Sequence, residues 1–237
     1  MINYQGAWVF IQARYNSTRL KGKVLKSLSG KKLLKWVVER ANNILPSNNL
    51  AVLTGRDDDN RLIVDWCEKE KINCFKGSEN DVLNRFVKAS KYYNAKNIIR
   101  LTADNPLLDF NFSKTLLKLH IIENANYSSS KSETGSGLPA GIGTEIFNVN
   151  TLNELDSMNL SISQREHVND YILENPSEFK FLRLGLEMGQ KNQLSFTIDT
   201  NDDWKVIERL ISNSKPQDVS LSDYWKLVTQ NKNIIQS

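Results

Sequence analysis

A short basic segment near the start of the chain carries the residue types that bind phosphate. Arg14, Arg19, Lys21 and Lys23 lie close together and are separated by small hydroxyl residues and a glycine. Glycine and short side chains leave backbone N–H groups able to face an anion, and the four cations add full positive charges. An apolar run at residues 7–11 comes just before and predicts a buried first strand. A loop in this place is where an α/β protein binds nucleotide phosphates, and the alternative is a solvated basic surface loop.

Two aspartates are expected at the ends of other strands. Asp104 follows a strand predicted over residues 96–102, and Asp199 belongs to a late strand predicted over residues 194–200. A carboxylate in the position of Asp104 can hold Mg²⁺ beside a polyphosphate, because that ion prefers oxygen ligands. The alternative is that Asp104 only caps the turn that follows it.

The first hundred residues are predicted to alternate strand and helix. Apolar runs at residues 7–11, 50–54, 72–75 and 96–102 predict strands, and helical spacing of apolar residues predicts three helices between them. Ser78 is predicted to be the N-cap of the third helix. Alternation of this kind favours an α/β fold whose parallel strands are joined by right-handed crossovers. Ligands then bind at the carboxyl ends of the strands.

The second half of the chain is less regular. After a helix predicted near residues 112–122, the Ser-rich residues 126–136 predict a mobile loop or a hairpin arm, because they contain few apolar side chains. Residues 137–147 contain several glycines and then become strand-like. Helices are predicted from Ser163, from Asn201 and near residues 221–228. The simplest organisation is one domain over residues 1–237, with an arm or mobile loop around 126–145.

Composition excludes several classes of protein. The 237 residues are 40% hydrophobic and 24% charged, as in ordinary globular proteins, and carry 31 basic and 27 acidic residues for a net charge of +4. Because the charges are interleaved, a small anionic ligand is favoured over nucleic acid. The spacing of Cys67 and Cys74 indicates neither a metal cage nor a redox pair. No membrane span or signal segment is expected, and we expect a cytoplasmic location.

Several blocks of sequence, taken together, resemble the cytidylyltransferases of the spore coat polysaccharide type, which are related to CMP-KDO synthetases and acylneuraminate cytidylyltransferases. The matching blocks, in chain order, are residues 12–14, 17–20, 22–25, 77–79, 81–83, 85–86, 100–107, Gly141, Glu145, Phe147, 165–168 and 197–200. They extend over nearly the whole chain.

The resemblance implies a Rossmann-like nucleotidyltransferase fold of three layers, with a mixed, mostly parallel sheet and a small inserted hairpin arm. It implies transfer of CMP from CTP to a sugar or sugar acid, with Mg²⁺ as cofactor and release of pyrophosphate, for surface glycan synthesis. A homodimer is also implied.

The same resemblance assigns roles to individual residues. The implied nucleotide-binding residues are Gln12, Ala13, Arg14, Ser17, Thr18, Arg19, Lys23, Ser78, Asp81 and Arg85. The implied acceptor-binding residues are Glu145, Arg165, Glu166 and His167. Asp104 and Asp199 are the implied metal ligands, and Arg19, Lys23 and Asp104 the implied catalytic residues. From the residues alone, His167 has no sequence neighbour to pair with, so a structural histidine is the default for it.

Two positions depart from the family pattern. Lys21 stands where a proline is usual, and Gly143 stands near a position that often carries Asp. The acceptor can therefore differ from that of the relatives. One alternative is a polyol phosphate or another phosphorylated small molecule as acceptor. Another is a protein of a glycan pathway that binds the nucleotide without catalysis.

Overall fold

The protein is described by a computed structural model, which defines residues 4–185 and 194–213. Its strands are β1 (Ala7–Gln12), β2 (Ser27–Leu28), β3 (Lys31–Lys32), β4 (Leu50–Thr54), β5 (Asn73–Lys76), β6 (Asn97–Thr102), β7 (Tyr127–Ser129), β8 (Glu145–Asn148) and β9 (Phe181–Arg183). Its helices are α1 (Leu33–Ala41), α2 (Arg61–Lys69), α3 (Val82–Tyr92), α4 (Phe110–Ile122), α5 (Val149–Ser157), α6 (Ile162–Glu166), α7 (Asp170–Glu174) and α8 (Asn201–Asn213).

Seven strands form one sheet in the order β5-β4-β1-β6-β8-β7-β9, and β2 and β3 form a separate hairpin. The first four strands of this order are parallel, and β8 runs antiparallel to both β6 and β7. The predicted mixed, mostly parallel sheet is therefore confirmed. Parallel pairing of β1 with β4 and β6 brings the carboxyl ends of these strands to one edge of the sheet.

Helices cover both faces of this sheet, so the predicted three layers are also confirmed. Alternate residues of β1 point to opposite faces: Val9 and Ile11 join a core with α1, α2 and α4, whereas Phe10 joins a core with α3, α5 and α7. A third apolar cluster includes Leu20, Phe196 and Trp204. It fixes the loop after β1 and the start of α8 in one place.

Around 126–145, where a mobile loop or a hairpin arm is predicted, β7 and β8 form a hairpin. Its strands belong to the main sheet, so the mobile-loop alternative is wrong there. Tyr127–Ser129 form β7, which pairs with β8 and β9 and is buried, and Glu145 begins β8. The serines fit a core because they are paired: the Ser128 hydroxyl contacts His120 Nδ1 at 2.8 Å, and Ser130 Oγ accepts from the Thr144 N–H at 3.0 Å. Polar composition therefore does not indicate exposure in this segment, because buried partners satisfy the hydroxyl groups.

Three smaller predictions are also corrected. The late strand over residues 194–200 is reduced to a single bridge between Ser195 and Ala140. The helix from Ser163 begins earlier, where Ser161 and Gln164 form a capping box, and it ends at Glu166 before α7 starts. The N-cap of α3 is Asp81 instead of Ser78.

Within residues 4–185 and 194–213, no helix is long and apolar enough to span a membrane. The helix predicted near residues 221–228 lies outside the described residues. Both cysteines are free thiols.

Candidate active site

The basic loop after β1 is folded back on itself by backbone hydrogen bonds. The Ala13 N–H donates to Leu53 O at 3.0 Å, and the Gly22 N–H donates to Tyr15 O at 2.7 Å. Gly22 has φ of 70°, and a Cβ there would lie 3.0 Å from the Tyr15 ring. Only glycine adopts this conformation at little cost. The turn leads directly into a short 3-10 helix, Lys23–Leu25, which places Lys23 at the sheet edge.

Lys23 is the buried cation of the site. Its Nζ donates to Asp104 Oδ2 at 3.0 Å, to Asp199 Oδ1 at 2.9 Å and to Ile198 O at 2.6 Å. The lysine side chain is 7% exposed, and the two carboxylates are 25% and 35% exposed. A buried ammonium needs such partners, because an uncompensated buried charge is costly. The two aspartates, 95 positions apart by their numbers, therefore meet on one cation.

Asp199 is placed by its neighbours even though it ends no strand. The Ile198 N–H donates to Asp104 O at 3.0 Å, which aligns the two segments. Asp203 Oδ2 accepts from the backbone N–H groups of Asp199 and Thr200 at 3.0 and 2.8 Å. Although burial alone would raise the pKa of Asp203, the hydrogen bonds from Thr200 and Asp199 lower it below its ordinary value. Asp203 thus stays charged and fixes the turn that presents Asp199.

A cavity of about 280 Å³ opens at these strand ends. Eleven of the residues assigned from the sequence line it: Gln12, Ala13, Arg14, Ser17, Thr18, Arg19, Lys23, Asp104, Glu166, His167 and Asp199. The Arg19 guanidinium lies 2.9 Å from Asp199 Oδ2, and Arg14 lies 3.7 Å from Glu166 Oε1. Both arginines are more than half exposed and can reach a ligand. His167 is exposed and lines the cavity, so the default expectation of a packed histidine is wrong.

Three residues assigned to the nucleotide do not line this cavity. Arg85 is 2% exposed and donates to Ser78 O at 2.6 Å. Burial lowers the pKa of Arg85 to about 10. Asp81 caps α3 through the Asn84 N–H, and its Oδ2 accepts from Arg165 Nε at 2.8 Å. The contacts that the structure shows for Asp81 and Arg85 are thus with other protein groups, and the nucleotide role of Ser78, Asp81 and Arg85 stays a prediction.

Two residues assigned to the acceptor are also engaged elsewhere. Arg165 binds Asp81 and also Asp156, and the hydrogen bond to Asp81 raises its pKa. Glu145 is 1% exposed and accepts from Lys131 Nζ at 2.7 Å and from Arg100 at 3.1 Å. Burial opposes ionisation of Glu145, but the charges of Lys131 and Arg100 outweigh it and lower the pKa.

The structure shows what surrounds Lys21 and Gly143, the two residues that depart from the family pattern. Lys21 Nζ lies 3.0 Å from Asp59 Oδ2 and 5.9 Å from the centre of the Tyr15 ring. At Gly143 a Cβ would lie 2.1 Å from the Ser130 carbonyl oxygen, so no side chain fits this backbone.

Arg100 and Thr102 line the cavity but had no role assigned from the sequence. The signal for Arg100 was available, because a charged residue interrupts the apolar strand Asn97–Thr102. Arg100 is 8% exposed, and a buried charge in a central strand requires partners. Its partners come from β1 and β8, so the pairing is not visible in the sequence.

A second cleft, of about 780 Å³, lies on the other side of the same loop. Its lining includes six lysines: Lys21, Lys26, Lys31, Lys32, Lys35 and Lys69. Lys31 and Lys35 form surface ion pairs with Glu39 and Glu70, at 2.7 and 2.6 Å. The smaller cavity contains Asp104 and Asp199, the two carboxylates that share Lys23, next to the carboxyl ends of β1 and β6. It is therefore the candidate active site.

The carboxylate pair fits a divalent cation that is shared with a ligand. Among the described residues, no group of three or more His, Cys, Asp or Glu side chains could hold a metal unaided. Magnesium is commonly held by one or two carboxylates together with phosphate oxygens and water. Asp104 and Asp199 face one cavity and supply that number of carboxylates.

The profile of the Cytidylyltransferase family matches residues 8–234. This chain belongs to the cytidylyltransferase family. It is 32% identical over 228 residues to the spore coat polysaccharide biosynthesis protein SpsF of Bacillus subtilis strain 168, with 93% of each chain covered. The family membership and the fold identify the protein as a nucleotidyltransferase enzyme.

Solved cytidylyltransferases have the same fold. A cytidylyltransferase from Leptospira borgpetersenii serovar Hardjo-bovis superposes with a TM-score of 0.90 at 29% identity, covering 98% of this chain and 97% of its own. CMP:2-keto-3-deoxy-manno-octonic acid synthetase complexed with CTP superposes with a TM-score of 0.66 at 16% identity, covering 87% of this chain and 98% of its own. At that identity the second likeness concerns the fold alone.

Proposed function

We propose that this cytidylyltransferase transfers CMP from CTP to a hydroxyl oxygen of a sugar or sugar acid, with Mg²⁺ as cofactor. The observation that carries the proposal is the meeting of Arg19, Lys23, Asp104 and Asp199 in one cavity. A polyphosphate needs cations, and a metal bound with it needs carboxylates. The site offers both at the carboxyl ends of β1 and β6, where α/β folds bind ligands.

The reaction forms a bond between the acceptor oxygen and the α-phosphorus of CTP, and it breaks the bond from that phosphorus to pyrophosphate. The hydroxyl proton of the acceptor is released to water. Negative charge grows on the phosphoryl oxygens and on the leaving group. Arg14 and Arg19 are exposed in the cavity and can each engage two oxygens, whereas Lys23 acts as a point charge. Fixed cations stabilise this growing charge more than they stabilise bound CTP, and that difference accelerates the reaction.

Asp104 and Asp199 would hold Mg²⁺. When bound, the ion supplies additional positive charge to the phosphate oxygens and helps to orient them. Lys23 and Arg19 keep the two carboxylates in one region of the cavity before any ligand binds.

The acceptor class rests on the relatives. SpsF carries the name of a spore coat polysaccharide protein, and a structural neighbour is a synthetase for the CMP derivative of a keto sugar acid. Lys21, the residue that had suggested a phosphorylated acceptor, pairs with Asp59. We therefore propose a sugar or sugar acid. The homodimer and the cytoplasmic location remain predictions.

The test is pyrophosphate release from each of the four ribonucleoside triphosphates with Mg²⁺, across a panel of sugars, sugar acids and polyol phosphates. We expect release with CTP and a sugar or sugar acid. Preference for UTP would contradict the nucleotide assignment. Release only with a polyol phosphate would contradict the acceptor class, and no release with any pair would contradict catalysis.

Asp104→Asn and Asp199→Asn should each reduce turnover by at least about 100-fold, because an amide keeps the shape but binds a hard cation poorly. Asp65→Asn is the control, since its side chain is 58% exposed and lies on α2 away from the cavity. Melting curves confirm that each variant is folded. A variant that keeps a near wild-type rate shows that its carboxylate is not a metal ligand.

A further inference from the structure

A chain of buried and partly buried hydrogen bonds connects the core to the cavity. Arg100 is 8% exposed and donates through Nη1 to Glu145 Oε1 at 3.1 Å. It also donates to Gln12 Oε1, through Nε at 3.2 Å and through Nη2 at 3.1 Å. The guanidinium lies 5.9 Å from the centre of the Phe86 ring, and Glu145 is itself held by Lys131. Arg100 is therefore fixed on several sides.

This contact determines which end of the Gln12 amide faces Arg100. A guanidinium only donates hydrogen bonds, so the partner atom of Gln12 must be its carbonyl oxygen. The amino group of the same amide, Nε2, is then turned away from Arg100. Both residues line the cavity, so the group that Gln12 can offer to a ligand is a donor.

The position of Gln12 favours the nucleotide as its ligand. Gln12 is the last residue of β1 and pairs in register with Thr102, the last residue of β6. β1 lies between β4 and β6, and the chain continues from β1 toward β4 and β5 before it returns to β6 on the other side of β1. Nucleotides bind in the crevice at such a point. Gln12 also directly precedes the loop that carries Arg14 and Arg19.

We propose that Arg100 is a positioning residue for Gln12, and that Gln12 Nε2 donates a hydrogen bond to an oxygen of the bound nucleoside. The inference rests on the proposed function for the identity of the nucleotide. The acceptor atom is a base carbonyl or a ribose hydroxyl oxygen, since both have the chemistry that an amide N–H recognises. A side chain oriented before binding loses little freedom on binding, and it discriminates against a ligand that places a donor there.

Gln12→Glu and Gln12→Ala test the contact by calorimetric titration of CTP in Mg²⁺. Glutamate keeps both bonds from Arg100 but replaces the donor with an oxygen, and alanine removes the donor without adding charge. We expect both variants to bind CTP about five- to tenfold more weakly, the size of one net hydrogen bond. Asn111→Ala, an exposed residue of α4, is the control. Binding of CTP within twofold of wild type by Gln12→Ala would overturn the proposal.

Titration with dCTP identifies the oxygen. If Gln12 contacts the ribose 2′ hydroxyl, wild type and Gln12→Ala bind dCTP equally. If it contacts another nucleoside oxygen, the variant loses the same factor against dCTP as against CTP. Both outcomes support the hydrogen bond, and each names its target.

Arg100→Met tests positioning, alone and combined with Gln12→Ala. If Arg100 acts through Gln12, the single variant weakens CTP binding, and the double variant binds no more weakly than Gln12→Ala. A further loss in the double variant would overturn the positioning role and indicate direct contact of Arg100 with the nucleotide. Because Arg100→Met leaves Glu145 less well paired, melting curves accompany it, and Arg100→Lys serves if it does not fold.

The binding readout separates this inference from the proposed function. A protein that binds CTP but releases no pyrophosphate would contradict the proposed catalysis and leave the Gln12 measurement intact. A wild type that releases pyrophosphate from CTP, with a Gln12→Ala variant that binds CTP normally, would contradict the inference alone.

Discussion

Replacement of Lys23 by Met removes the cation that bridges Asp104 and Asp199. The Lys23 side chain is 7% exposed, and its ammonium lies 3.0 and 2.9 Å from the two carboxylates. Its loss leaves Asp104 without this cation and Asp199 with the exposed Arg19 in its place. Breaking a buried ion pair costs about 3–5 kcal/mol. The carboxylates are 25% and 35% exposed, which favours the lower end, about 3 kcal/mol. For a chain of this size that lowers the melting temperature by about 6–12 °C.

Magnesium should partly reverse this loss in Lys23→Met. With the lysine gone, Asp104 Oδ2 and Asp199 Oδ1 are open to a divalent cation that takes its place. A cation at ten times its Kd stabilises the folded state by about 1.4 kcal/mol, or about 3–6 °C in melting temperature. In the wild type Lys23 already satisfies both carboxylates, so Mg²⁺ without nucleotide should change the melting temperature much less. Turnover should nevertheless fall in the variant, because we propose that the charge of Lys23 also balances that of the phosphates.

The assay is thermal melting in EDTA and in increasing Mg²⁺, without nucleotide. Lys35→Met is the matched control, because Lys35 pairs with Glu70 at 2.6 Å and both side chains are about one-third exposed. A surface pair contributes about 0–1 kcal/mol, so the control should melt near the wild type in both conditions. A Lys23→Met protein that melts within 2 °C of wild type (roughly 1 kcal/mol or less) would refute the reasoning. So would an equal response of both proteins to Mg²⁺.

Two further predictions concern stability. His120 is 1% exposed, and burial lowers its pKa from 6.5 to about 4. The unfolded chain binds the proton first, so stability should fall by about 3 kcal/mol as pH drops from 7 to 4. Measured by urea unfolding, the stability of His120→Gln should fall less with decreasing pH than that of the wild type. An equal dependence on pH in both proteins would show that His120 is not the cause. Gly143→Ala should lose about 1–3 kcal/mol, since its Cβ would lie 2.1 Å from Ser130 O. If Gly143→Ala unfolds at the same urea concentration as the wild type, the Ser130 backbone moves to accommodate the added Cβ.

The sequence alone was sufficient to predict those elements and site residues whose signal lies in neighbouring residues of the chain. Apolar runs and helical spacing located β1, β4, β5 and β6 and the helices between them to within a few residues. Their alternation required a parallel sheet, and the crossover rule placed ligands at the carboxyl ends of the strands. The loop of Arg14, Arg19 and Lys23 was recognisable because its residue types and its place after the first strand needed no distant partner.

Tertiary structure decided whatever depended on partners far along the chain. The Ser-rich segment became the buried β7 because His120 and Thr144 satisfy its hydroxyls, and composition cannot show such pairing. Asp199 reached Asp104 through one backbone hydrogen bond and the cap from Asp203, without the strand that was expected to carry it. The physical reason is that burial of a polar or charged group is allowed only when its partners are in place.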